Sequence, residues 1–152
     1  MWPSLKAIDR VIALGGIDPQ SIASGATVSS PWIPVALWGQ IMALIQTGVI
    51  SAGGSVTAQL YQATSAAGAG SKVITGKATS AALTAAANSP SAQVEINLKG
   101  EELDVTNGFA FIQLQITATG AAALASAQLF GHDAREGPAT LNAPATLVQV
   151  IG

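Results

Sequence analysis

Residues Ala92–Lys99 read A-Q-V-E-I-N-L-K and decide the fold class of this chain. One set of alternate positions is apolar: Ala92, Val94, Ile96 and Leu98. The positions between them are polar: Gln93, Glu95, Asn97 and Lys99. A period of two is typical of a β-strand with one buried and one solvent-exposed face. The stretch therefore predicts a strand of a β-sheet that has one face in the core and the other in solvent.

The same alternation recurs in residues 54–62, 109–119 and 121–130, and the apolar residues 40–50 also favour a strand. Glycine-rich breaks at residues 52–54 and at Gly120 separate these patterns and predict hairpin turns. Roughly six to eight short strands without a βαβ pattern are typical of an antiparallel sandwich. We predict an all-β fold: an antiparallel, jelly-roll-like β-sandwich with extended N- and C-terminal arms.

Breaks in the pattern divide the chain into an arm at residues 1–24, a sandwich at 25–133 and an extended tail at 134–152. The spacing of apolar residues in the arm predicts one or two helical turns that end before Gly15. In the tail, residues 147–151 have the composition of an additional strand. Such a strand can pair within its own subunit or with a neighbour, and both alternatives remain open.

The chain has 152 residues, which suits one domain, and only 9% of them are charged. A typical soluble domain carries about 25% charged residues. A surface with so few charges is compatible with extensive protein–protein contact. It is equally compatible with a small Ala-rich domain from a GC-rich genome.

Several partner classes lack a signal in the sequence. The six Lys and Arg residues are scattered, so we expect no nucleic acid partner. The apolar residues 31–45 contain Pro34 and Gln40 and fall short of the ~20 residues that span a bilayer, so we expect no membrane partner. The first ten residues do not read as a signal peptide. There is no Cys for disulfides or thiolate chemistry.

Reactive side chains are sparse. His132 is the single histidine and has no serine elbow of the G-x-S-x-G type to partner it. Glu101, Glu102 and Asp104 form an acidic cluster without the spacing of a calcium loop. Residues 68–72 lack the spacing of a phosphate-binding loop. We therefore predict no enzyme activity, no catalytic residue, no metal site and no cofactor.

Large apolar side chains in the arms and around the prolines are candidates for an interface, because aromatic anchors remove much area from water. Core packing is the alternative interpretation for the tryptophans. The predicted interface residues are Trp2, Leu5, Ile8, Trp32, Trp38, Leu147, Val148 and Val150.

Several segments resemble head-decoration (cement) proteins and related minor virion proteins of tailed bacteriophages. They cover about residues 17–138 and include G-I-D-P-Q-S-I, Y-Q-A-T-S-A-A-G-A-G, K-V-I-T-G-K-A, Q-V-E-I-N-L-K-G-E-E-L-D, N-G-F-A-F-I-Q-L-Q-I-T and F-G-H-D-A-R-E-G-P. No functional residue carries over from this resemblance.

The resemblance implies a virion structural protein on the capsid surface, made in the host cytoplasm. Its expected partners are the major capsid protein and further copies of itself, as a homotrimer. Multivalent binding would let modest single contacts give firm attachment to the shell. The alternative is a base or adaptor of a head fibre, spike or tail that acts as a receptor- or carbohydrate-binding module.

Overall fold

The computed structural model describes residues 6–149, except for the side chains of residues 140 and 141. Strands dominate this part of the chain, and each α-helix has only four residues. In chain order the elements are α1 (Ala7–Arg10), β1 (Val11–Ile22), β2 (Thr27–Ser29), β3 (Ile33–Pro34), β4 (Trp38–Ile50), β5 (Ser55–Ala63), β6 (Lys72–Ala78), β7 (Leu83–Thr84), α2 (Ala85–Asn88), β8 (Ala92–Lys99), β9 (Phe111–Thr119) and β10 (Ala123–Ala134). None of these helices is long and apolar enough to span a bilayer.

The strands form two antiparallel sheets that pack face to face. Sheet A has the order β1-β10-β4-β8, and sheet B has the order β2-β9-β5-β6, with β3 beside β9 and β7 beside β5. The four strands of sheet A and the path β2-β9-β5-β6 of sheet B form the two antiparallel layers of a jelly roll. The predicted fold class, an antiparallel jelly-roll sandwich, is confirmed.

The core lies between the two sheets and is built by the alternation that the sequence displays. Along β9 every second residue is buried, and Ile112, Leu114 and Ile116 are 0% exposed. From sheet A, Ile45 of β4 and Leu129 of β10 meet them, also at 0%. Burying a side chain of this kind stabilises the fold by about 1.5–3 kcal/mol, so the central strands contribute most of the hydrophobic stability.

The predicted boundary of the sandwich at residue 25 is wrong, because β1 is a full member of sheet A. It pairs with β10 from Val11 to Ile22. The helix stops at Arg10, where β-branched residues begin to favour extended backbone. Gly16 does not end the strand; the carbonyl of Ala127 occupies the space that a Cβ would need. A glycine therefore allows close pairing here.

The two predicted hairpins are also wrong. The turn at residues 52–54 leads from β4 in sheet A to β5 in sheet B, and Gly120 lies between β9 in sheet B and β10 in sheet A. Both are crossings between sheets. Gly53 and Gly120 both adopt positive φ, and the carbonyl of Gly53 fills the space where a Cβ of Gly120 would lie. The two crossings therefore pack directly against each other.

The tail differs from its prediction in part. A 3₁₀ turn at Ala139–Asn142 contacts α1, β1 and β10, and Ala139 is 0% exposed. Residues 147–149 are not a strand, and the rest of the predicted strand lies outside the described residues. The tail therefore begins as a packed segment of the domain.

Candidate interaction surfaces

The predicted interface residues in the two arms fall into two groups. Trp2, Leu5 and Val150 lie outside the described residues. Leu147 is half-buried and packs against the core, whereas Val148 is 95% exposed. Within the part of the tail that the structure describes, Val148 is therefore an apolar side chain available to a partner.

Ile8 and Trp32 are both half-buried on the surface of the single chain. Trp32 directly precedes β3 and lies close to Gly68 in the loop between β5 and β6. A Cβ at Gly68 would lie 2.6 Å from Nε1 of Trp32, so only glycine lets this loop approach the indole. Trp32 thus fixes a loop and leaves part of its ring at the surface.

Trp38 does not belong with the interface residues. It is 2% exposed and lies over Gly131 of β10, where a Cβ would come within 2.5 Å of the indole ring. The first residue of β4 thus fills the end of the core, and its surface is not available to a partner. Sequence alone left core packing as the alternative, and the structure selects it.

Charge is distributed unevenly between the two ends of the sandwich. The loops 23–26, 51–54, 79–91 and 120–122 meet at one end and contain no Asp, Glu, Lys or Arg. We call this the uncharged end. The opposite end carries ion pairs between Arg10 and Asp133 at 3.7 Å and between Lys72 and Asp104 at 2.6 Å. Because one end lacks charged side chains and the other carries them, we expect the two ends to bind different protein surfaces.

The outer surface of sheet A holds a groove of about 530 Å³. Its floor includes Ala13, Leu44 and Gln128, and Leu147 of the tail forms part of one wall. Gln128 donates a hydrogen bond of 2.8 Å to the carbonyl of Gly15, where β1 bulges. The groove is therefore a mainly apolar surface.

Three of the four sheet edges are interrupted. Strand β1 shifts register between Ala13 and Gly15 and again between Ile17 and Gln20. Strand β6 contains Gly76 with positive φ and pairs irregularly with β5, and β2 has only three residues. Breaks of this kind keep edges from pairing with other chains. Strand β8 alone pairs with its neighbour, β4, through eight successive residues without a shift.

An ion pair covers one end of the β8 edge. Lys77 Nζ donates to the carbonyl of Asn97 at 2.7 Å and lies 2.8 Å from Oε1 of Glu102. The other carboxylate oxygen of Glu102 accepts the N–H of Lys99 at 2.8 Å. The hydrogen bond from Lys77, followed by that from the Lys99 N–H, lowers the pKa of Glu102 below its usual value. We call this arrangement the β8 cap.

The candidate acidic residues, Glu101, Glu102 and Asp104, are engaged in ion pairs. Asp104 pairs with Lys72 and accepts from Asn107, and these bonds lower its pKa. His132 lies on β10 with Nε2 buried and without a hydrogen-bond partner among the described residues. Within residues 6–149 no group of three or more His, Cys, Asp or Glu could hold a metal. No sequence signal could have paired Lys77 with Glu102, because each reads as an ordinary surface charge.

Solved structures of infectious bursal disease virus share this fold. The Gx strain gives a TM-score of 0.55 at 13% identity over 86% of this chain and 34% of that chain. The Gt strain gives a TM-score of 0.54 at 14% identity, over 91% of this chain and 38% of that chain. The T13 viral particle gives a TM-score of 0.53 at 17% identity, over 81% of this chain and 31% of that chain. This chain spans about a third of the length of those chains. No family model and no curated protein matches it.

Proposed function

We propose that this chain is a virion structural protein that binds and stabilises an assembled bacteriophage capsid, as a decoration or cement protein. The observation that carries the proposal is the jelly roll itself, a fold that this chain shares with a chain of a viral particle. The bacteriophage setting rests on the resemblance of residues 17–138 to head-decoration proteins. The partners in this proposal are the major capsid protein and further copies of the chain.

The uncharged end supports association into a trimer. Copies that meet around a symmetry axis bring identical residues together, so any charge near the axis meets the same charge from its neighbours. The loops 51–54 and 120–122 offer only small uncharged side chains there. We therefore place the threefold axis of the trimer at the uncharged end and the shell contacts elsewhere.

The tail supports attachment to the shell. Val148 is 95% exposed and follows a 3₁₀ turn that is anchored on the domain. The residue before it, Leu147, lines the groove on sheet A, so a partner that binds Val148 can also reach this groove. In this proposal the tail and the groove together contact the major capsid protein.

The alternative is a base or adaptor of a head fibre, spike or tail that acts as a receptor- or carbohydrate-binding module, and the outer face of sheet B argues against its carbohydrate-binding form. Several of the amides and hydroxyls on this face already bond within the chain: Gln115 donates to Gln113, Gln113 donates to the carbonyl of Ser30, and Thr27 lies 2.7 Å from Thr117. A sugar would have to replace these bonds. We therefore favour binding to a capsid over binding to a carbohydrate.

Co-sedimentation with purified empty shells tests the proposal. The wild-type chain should move with the shells through a density gradient, and a variant that lacks residues 143–152 should stay at the top. Residues 1–24 must not be deleted in the same way, because β1 lies within them. A wild-type chain that never moves with the shells would contradict the proposal. So would a truncated chain that binds as well as the wild type.

A further inference from the structure

The backbone of β8 has unpaired groups at its outer edge. Alternate residues of an antiparallel strand direct N–H and C=O to opposite sides. The carbonyl of Asn97 and the N–H of Lys99 point away from β4, because the β8 cap binds them. Gln93 and Glu95 have the same parity, so their N–H and C=O groups also point away from β4. No hydrogen bond from the described residues reaches them.

We propose that β8 pairs with β8 of a second copy, antiparallel, around a twofold axis at Val94. Gln93 then lies opposite Glu95 of the other copy. Each of these residues contributes one N–H and one C=O. The two copies together satisfy all of these groups in four hydrogen bonds, and sheet A continues from one copy into the next.

The side chains on the outer face favour this register. Gln93 and Glu95 are both exposed, and directly opposite each other an amide N–H can donate to the carboxylate. A twofold axis at Glu95 would instead place the Glu95 carboxylates of the two copies opposite each other. It would also need the Asn97 carbonyl for the ladder between the copies, and Lys77 already donates to that carbonyl. An axis at Gln93 would carry the pairing towards Pro90, which cannot donate to a ladder.

The ends of the free edge limit the partner to a short strand. Pro90 bounds it on one side and the β8 cap bounds it on the other. So short a ladder is weak on its own, but it links copies firmly once a shell holds them close together. This contact is distinct from the trimer axis, since β8 lies at the edge of sheet A.

A single introduced cysteine tests the pairing. Residues opposite each other in a non-hydrogen-bonded pair have Cα atoms about 4.5 Å apart, which a disulfide can bridge. The chain has no Cys, so Val94→Cys can form a disulfide only between copies. Under mild oxidation, Val94→Cys should give a covalent dimer. The exposed edge residue Thr75 of β6 provides the control, and Thr75→Cys should give several-fold less.

A second set of variants, at Gln93, tests the pairing in a way that does not depend only on how reactive the cysteine in Val94→Cys is. Gln93→Pro deletes a free-edge N–H without touching the bonds to β4, and it should reduce cross-linking about tenfold. Gln93→Glu faces Glu95 of the other copy with a like charge and should weaken pairing about fivefold, whereas Gln93→Lys should strengthen it. Sedimentation velocity at rising concentration measures these pairings without a cysteine.

Two results would overturn the proposal. The first is equal cross-linking of Val94→Cys and Thr75→Cys. The second is self-association that is the same in Gln93→Glu and Gln93→Lys. Both measurements use the purified chain alone, so their outcome is separate from the co-sedimentation with shells.

Discussion

The ammonium of Lys77 lies 2.8 Å from the carboxylate of Glu102 and joins the edge of sheet B to the end of β8. Lys77 lies on β6 of sheet B, and β8 belongs to sheet A. The ion pair therefore connects the two sheets at an otherwise open side. Because Lys77 also binds the carbonyl of Asn97, the pair satisfies backbone groups as well as charges.

Glu102→Gln should reduce stability in a pH-dependent way. The pKa of Glu102 is lowered in the folded chain, so its contribution is present above the usual value of 4.5 and is lost as the pH falls through the folded-state pKa. The pair is partly exposed, so we expect a loss of about 0.2–1 kcal/mol at pH 7. Urea unfolding at several pH values measures it. Glu136→Gln is the control, and an equal effect there would contradict the assignment.

Gly131→Ala should strain the core end. A Cβ at this position meets the indole of Trp38, which is itself buried, so the ring must move. Overpacking of this kind costs about 1–3 kcal/mol. Gly100→Ala is a matched control, because its Cβ meets the flexible end of Arg135. Thermal unfolding compares the two, and a Gly131→Ala chain as stable as Gly100→Ala would contradict the packing.

Ala52→Glu should break the proposed trimer without unfolding the chain. The substitution places a carboxylate at the uncharged end, where the symmetry brings its equivalents together. The solution mass from light scattering should fall to that of a monomer. Thr106→Glu adds the same charge at the opposite end and should leave the mass unchanged. If both variants stay trimeric, the axis lies elsewhere.

Val148→Asp should weaken attachment to the shell and leave the fold unchanged. The side chain is 95% exposed, so it contributes little to folding, but burial against a partner would be worth about 1.5–3 kcal/mol. We expect at least a tenfold loss of affinity for empty shells. Gln149→Asp adds the same charge with no loss of apolar surface and should bind better than Val148→Asp. The reverse order would remove Val148 from the interface.

Much of the fold could be predicted because local alternation reports burial. The patterns of Ala92–Lys99 and of β9 are visible in the sequence and match the buried faces. The sequence could not show which sheet each strand joins. A glycine turn between two alternating segments has the same sequence pattern in a hairpin and in a crossing between sheets. Gly120 belongs to a crossing.

The interaction surfaces were less predictable than the strands. Gly15 and Pro19 read as breaks in regular structure, yet they lie at the two register shifts within β1. The β8 cap joins Lys77 to Glu102, and no local pattern connects positions so far apart. Trp38 shows the same limit, since an aromatic beside prolines reads alike for an anchor and for a core residue.

Peptide quantification in virions tests the central claim most directly. Particles purified from producing cells through two successive gradients would be digested and this chain measured against the main shell protein. A virion structural role predicts a fixed ratio of the two proteins in every particle fraction. Absence of the chain from the particles, or a ratio that falls with each gradient, would contradict that role.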